Sequence, residues 1–94
     1  MKITEKELLE KYNITIDNIL DECDWKTNFT GEEVCQLVHN ILKQNNEEPT
    51  ISAENLHELY SSKVSSLNLT DEYWRENYGV PEIISMIYEI LLSL

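Results

Sequence analysis

The chain holds two glycines, two prolines and two cysteines in 94 residues, and only seven lysines and arginines stand against eighteen aspartates and glutamates. Each shortage excludes something. With so few turn-forming residues, and no stretch that alternates apolar with polar positions, a sandwich or barrel of short strands has no support. Cys23 and Cys35 lack the spacing of a disulfide scaffold or a Cys-x-x-Cys site and read as two free thiols in a reducing compartment. No apolar run approaches the roughly 20 residues of a bilayer-spanning helix. The longest apolar-rich stretch, Ile83 to Leu94, is interrupted by Glu89. After Lys2 and Ile3 come Thr4, Glu5, Lys6 and Glu7 instead of the apolar segment of an export signal, so a cytoplasmic protein is expected. There is no Gly-rich phosphate loop, no Gly-x-Ser-x-Gly and no histidine in a motif with a nucleophile, so neither an enzyme nor a cofactor is expected.

What is abundant is negative charge. The formal net charge is −11 and the sequence pI is near 4.4. A surplus of that size repels nucleic acid and anionic lipid, and directs attention to a basic partner or a cation. The chain is nonetheless 41% hydrophobic, far from the composition of an acidic disordered tail, and its length suits one domain over residues 1–94. Asn13, Asn28 and Asn68 stand in Asn-x-Ser/Thr sequons, which have no use outside a secretory pathway.

The apolar residues repeat with a helical period. Thr4 and Glu7 have capping-box spacing, and Leu8, Leu9, Tyr12, Ile16, Ile19, Leu20 and Cys23 follow as one buried stripe. Asn13, Ile14 and Thr15 in its middle leave a kink or restart open. A second capping box, Thr30 and Glu33, is reinforced by Phe29 and Val34 at the positions of a hydrophobic staple. Val34, Leu37, Val38, Ile41 and Leu42 then form a core stripe that ends at Gln44, Asn45 and Asn46. After Pro49, Ser52 caps a third helix, with Ile51 and Leu56 as its staple and Leu56, Leu59, Tyr60, Val64 and Leu67 as its inner face. Thr70 caps a short turn, stapled by Leu69 and Trp74 and closed by a left-handed Gly79. Pro81 opens a last helix so apolar that it is expected in the middle of the bundle or in a homodimer seam. The fold class is all-α: a compact antiparallel bundle of four main helices plus one short helical turn.

Two metal readings are weak on spacing. Cys35 and His39 share a helix face at i and i+4, with Cys23 and His57 as further ligands, but the four would have to converge from three helices. Asp17, Asp21, Asp24 and Asn28 lack the central glycine of a calcium loop. No metal is expected.

The distribution of acids says more. Asp17, Asp21, Glu22, Asp24, Glu32 and Glu33 face Lys26 alone between positions 17 and 33, and Glu47, Glu48, Glu54 and Glu58 have no lysine or arginine between positions 44 and 62. Helix N-termini favour carboxylates by only about 0.3–1 kcal/mol each, which accounts for Glu33 and Glu54 but not for the surplus. Trp25 beside Asp24 and Tyr60 beyond Glu58 add aromatics framed by charge, the usual anchors of a tight interface. The expected partner-binding residues are Asp21, Asp24, Trp25, Glu32, Glu33, Gln36, Glu47, Glu48, Glu54, Glu58 and Tyr60. Such a face suits the phosphate-binding cleft of a nuclease, where carboxylates take the places of phosphates.

Over Glu32-Glu33-Val34-Cys35-Gln36-Leu37-Val38-His39, then Asn46-Glu47-Glu48-Pro49 and Leu56 to Tyr60, the chain resembles the small acidic immunity proteins that bacteria make against their own nuclease bacteriocins and contact-dependent toxins. In the colicin-DNase branch an acidic second helix and a short third helix carrying tyrosines grip the toxin, so the resemblance implies contact roles for Glu32, Glu33 and Tyr60. Tyr60 is followed here by Ser61 and Ser62, where that pattern has a second tyrosine and a proline. The expected function is that of an immunity or inhibitor protein for a basic toxin, with no direct contact to nucleic acid or membrane. The alternatives are a phage-encoded acidic inhibitor of a host defence nuclease and a homodimeric regulatory or structural helical module.

Overall fold

The computed structural model describes residues 2–19, 30–47, 49 and 51–94. Its helices, in chain order, are α1 (Glu5–Ile19), α2 (Gly31–Gln44), α3 (Ala53–Ser66), α4 (Asp71–Asn77) and α5 (Val80–Leu92). Four of them run for 13 to 15 residues and α4 for 7, so the fold is the all-α bundle with one short helix that the periodicity implies.

The starts are set by the residues expected to set them. Thr4 Oγ1 accepts the Glu7 N–H at 3.1 Å, and its hydroxyl donates to Glu7 Oε1. Thr30 accepts the Glu33 N–H at 3.3 Å while Glu33 Oε1 accepts the Thr30 N–H, the full reciprocal box. Ser52 and Thr70 take the N–H groups of Asn55 and Tyr73, each at 3.1 Å. Each of these caps satisfies a donor that the helix itself leaves without a partner. Through Asn13–Thr15, α1 runs without a break, and the Thr15 hydroxyl donates to the Lys11 carbonyl at 2.8 Å. That bond back along the helix lets a β-branched residue sit inside it.

The ends differ from expectation. Gly79 is not left-handed: its φ of −81° and ψ of 171° are extended, and it stands as the residue before α5, with Pro81 in that helix's first turn. The left-handed positions belong to Asn46 and Asn68, both at φ 60°. Glu47 N–H reaches the Leu42 carbonyl and Asn46 N–H that of Lys43, and the same pair of bonds links Leu69 to Val64 and Asn68 to Ser65. Both are Schellman closures with asparagine where glycine is commoner. A chain with two glycines uses the next residue type that tolerates this conformation.

Around the bundle α1 packs on α2 and α5, and α3 packs on α2, α4 and α5. One core joins Leu8, Tyr12 and Ile16 of α1 to the α2 stripe, to Leu56, Tyr60 and Val64 of α3, to Trp74, and to Ile83, Ile84, Met86, Ile87 and Ile90 of α5. Leu59 and Leu67, expected inward, are 41% and 48% exposed. The buried stripe of α3 runs Leu56, Tyr60, Val64 at a strict four-residue step, which leaves Leu59 to one side and Leu67 beyond the last turn. Nor is α5 enclosed: Glu82 and Glu89 are exposed and Leu92 is 57% exposed, so the helix is one wall of the bundle. The segment before α1 is fastened to this wall. Ile3 is buried, its N–H donates to Glu47 Oε1 at 2.7 Å, and its carbonyl accepts the Tyr88 hydroxyl at 2.7 Å.

The tightest junction lies where α2, α3 and α4 meet. Asp71 Oδ2 accepts the Gly31 N–H at 3.0 Å and Oδ1 accepts the Tyr60 hydroxyl at 2.9 Å. The first-turn residue of α4 thereby satisfies the start of α2 and a core hydroxyl of α3. A Cβ on Gly31 would meet Asp71 Oδ1 at 2.6 Å and Tyr60 Cε1 at 2.7 Å, so this position requires glycine for space. Gly31→Ala is expected to destabilise by roughly 1–3 kcal/mol although alanine is the better helix former, and Asp71→Ala by about 2–4 kcal/mol through loss of its bonds to the Gly31 N–H and the Tyr60 hydroxyl. At the second Schellman closure, Asn68→Ala should lose about 1 kcal/mol while Asn68→Gly loses nothing, because only the alanine is strained at positive φ. Urea unfolding followed by circular dichroism ranks all four variants.

Candidate functional site

The connector between α2 and α3 fixes how the two helices overlap. His39 Nε2–H donates to the Ile51 carbonyl at 3.1 Å, and Gly31 abuts Tyr60. The chain therefore returns along the second half of α2, and α3 runs antiparallel past the start of α2. Beside each other lie the first two turns of α2 and the first two of α3, and acidic residues occupy the first turn of both: Glu32 and Glu33, and Glu54.

The result is a shallow groove of about 280 Å³ lined by Glu32, Gln36, Ala53, Glu54, His57 and Glu58. Three carboxylates from two helices share it, without a lysine or arginine in its lining. Glu32, Glu54 and Glu58 are exposed. His57 is half-buried, with its Nε2 3.2 Å from the Ser61 hydroxyl. Gln36 is oriented along α2 by a bond from its amide to Asn40 Oδ1 at 3.0 Å. A surface built this way presents acceptors and negative charge at the positive ends of two helices, which suits cationic side chains approaching from outside.

Other expected contact residues are placed differently. Tyr60 is corrected: it is fully buried in the α3 core stripe with its hydroxyl on Asp71, and it offers no surface to a partner. The charge after position 58 drew attention to it, but the four-residue apolar step decides its direction. Glu33 is committed to the Thr30 capping box, and Glu47 lies beyond the far end of α2 with its carboxylate on the Ile3 N–H. Asp21, Asp24, Trp25 and Glu48 lie outside the described residues, as do Cys23 and Asn28 of the two metal readings. Of the residues weighed for zinc, Cys35 is buried, His39 is held by the Ile51 carbonyl and His57 faces Ser61. Among the described residues no group of three or more histidines, cysteines, aspartates or glutamates could hold a metal ion. None of the described helices is long and apolar enough to cross a membrane.

Two residues have roles other than those the sequence suggests, which are a zinc ligand for His57 and part of a short helical turn for Asp71. His57 enters the groove because it is one turn from Glu54 on the same face, a spacing visible in advance. Asp71 gave no signal, since its partners are 40 and 11 positions away. No family model matches the chain, and no curated protein and no solved structure matches it either.

Burial, with the Asp71 charge adding to it, pushes the Cys35 thiol up to about 12 from its ordinary 9.0. A thiol held protonated this firmly is a poor nucleophile at neutral pH. Below pH 9 the folded and unfolded chains both keep the proton. Between 9 and about 12 only the unfolded chain releases it, so stability falls with rising pH, by about 4 kcal/mol over the window, and a Cys35→Ala variant lacks that component of the slope. Denaturant titrations at several alkaline pH values check it. In a Cys23→Ser background, Cys35 should react with a thiol reagent at pH 8 only as fast as the fold opens.

Proposed function

We propose that the chain is an acidic inhibitor of the immunity-protein kind, which binds a basic protein toxin in the cytoplasm and blocks it through the α2–α3 groove. The observation that carries this reading is the convergence of Glu32, Glu54 and Glu58, from two helices, in one groove whose lining has no lysine or arginine. Those carboxylates are not consumed by the fold. Glu33, Glu47 and Asp71 each satisfy backbone or core donors, whereas these three are exposed on a body of net charge −11. A nuclease is the natural target class, because the cationic cleft that grips phosphates would meet carboxylates at similar spacing. The charges would act first on encounter, drawing the basic partner in before the surfaces dock. The protein would then need no cofactor and would touch neither nucleic acid nor membrane.

The test combines recovery of the partner with charge reversal. The tagged chain is co-expressed with its native gene neighbours, the basic protein that co-purifies is identified, and its nuclease activity is measured with and without the chain. The triple variant Glu32→Lys, Glu54→Lys, Glu58→Lys is expected to lower the association rate constant about tenfold or more at low salt and to flatten its salt dependence. Its melting should change little, since all three side chains are exposed; Glu33→Lys is unsuitable because it also removes a cap. Unchanged association kinetics in the triple variant would exclude the groove as the interface.

A further inference from the structure

A second surface lies on another flank of α3. Two adjoining depressions, of about 430 and 540 Å³, meet at Lys63 and Glu89 and make up a groove between α3 and α5. Along α5 it follows Glu82, Ser85, Met86, Glu89, Ile90 and Ser93, one side of the helix over roughly 17 Å, or about three turns. Its apolar parts are Trp74, Met86 and Ile90, with Leu59 at 41% and Leu94 at 53% exposure beside them. Ser62 and Ser66 of α3 and Ser85 and Ser93 of α5 keep its walls low, so that another helix axis can approach closely.

We propose that this groove docks a basic amphipathic helix presented by a partner protein. The occupant follows from shape and charge together. Two depressions in succession along about three turns of α5, floored by Trp74, Met86 and Ile90, match the apolar face of a helix read at steps of three and four residues. The rim carries Glu5, Glu82 and Glu89 against Lys63 alone, so flanking lysines or arginines on the incoming helix would be attracted. A second copy of this chain would bring another −11 of charge to the same place and be repelled. The Trp74 end of the groove also carries an unmet demand. Its indole N–H is buried with no acceptor among the described residues, while the ring stacks on Tyr78 at 4.2 Å between centroids. Buried donors are rarely left so in a finished surface. This inference stands apart from the α2–α3 groove and does not require it.

The probe is a synthetic helix of about four turns with leucines on one face and lysines on the other, titrated into the full ¹⁵N-labelled chain. The amides of Ser62, Ser66, Met86 and Ser93 and the Trp74 indole should shift together. A peptide of the same composition in scrambled order should bind about tenfold more weakly, and Leu59→Asp with Leu94→Asp should weaken the ordered peptide by a similar factor. If that pair does not fold, Ser62→Tyr, which fills the groove from an exposed position, gives the same reading. Equal binding of the scrambled peptide, or absence of binding, overturns the proposal. So does self-association of the free chain that Leu59→Asp abolishes in light scattering. Shifts confined to Glu32, Glu54 and Glu58 overturn this inference and leave the acidic groove of the preceding section standing.

Discussion

The Asp71 carboxylate holds the molecule's geometry at its most constrained point. One oxygen takes the Gly31 N–H and the other the Tyr60 hydroxyl, so the starts of α2 and α4 and the middle of α3 are tied to a single planar group. Gly31 has no room for a side chain there, which brings the α2 backbone directly against Tyr60. With Gly31 set against Tyr60 and the helices antiparallel, Glu32 falls beside Glu58 and Gln36 beside Glu54. The acidic groove is a consequence of that register. A carboxylate at a helix N-terminus is favourable in its own right, and here it comes from a different helix, so the same contact that stabilises α2 also positions α3.

The negative charge divides into two populations with different work. Glu7 and Glu33 close capping boxes, Glu47 fastens the segment before α1, and Asp71 joins three helices. Their oxygens already accept hydrogen bonds within the fold. Among the acids left exposed, Glu32, Glu54 and Glu58 come together in the α2–α3 groove, Glu32 and Glu54 in the first turns of their helices. The lysines of α2 and α3 lie in the last turns, Lys43 and Lys63, away from those starts. The local rule that puts acids first and bases last in a helix thus gathers carboxylates where the first turns of antiparallel α2 and α3 overlap.

Local chemistry was legible wherever it was decided by residues close in sequence. The caps at Thr4, Thr30, Ser52 and Thr70 are all in place, and the Val34, Val38, Ile41 and Leu42 stripe is buried. Legibility failed where two short-range rules competed. Tyr60 satisfied both an aromatic-beside-charge pattern and an apolar period, and the period won because burying a large ring outweighs exposing it at a charged edge. Gly79 was read as a left-handed closure, yet α5 begins at the next residue and needs an extended residue before it. The left-handed positions went to Asn46 and Asn68, which in the sequence looked like a polar tail and a sequon.

By itself the sequence determined the all-helical class, the beginnings of the described helices and the net charge of −11, because capping, apolar period and net charge are properties of neighbours or of sums. Only the tertiary structure decided which carboxylates stand together and which are occupied. That depends on how far α3 slides along α2, which is set by contacts between residues as distant as Gly31 and Asp71. A chain read in order carries no term for such a contact until its backbone has folded back upon itself.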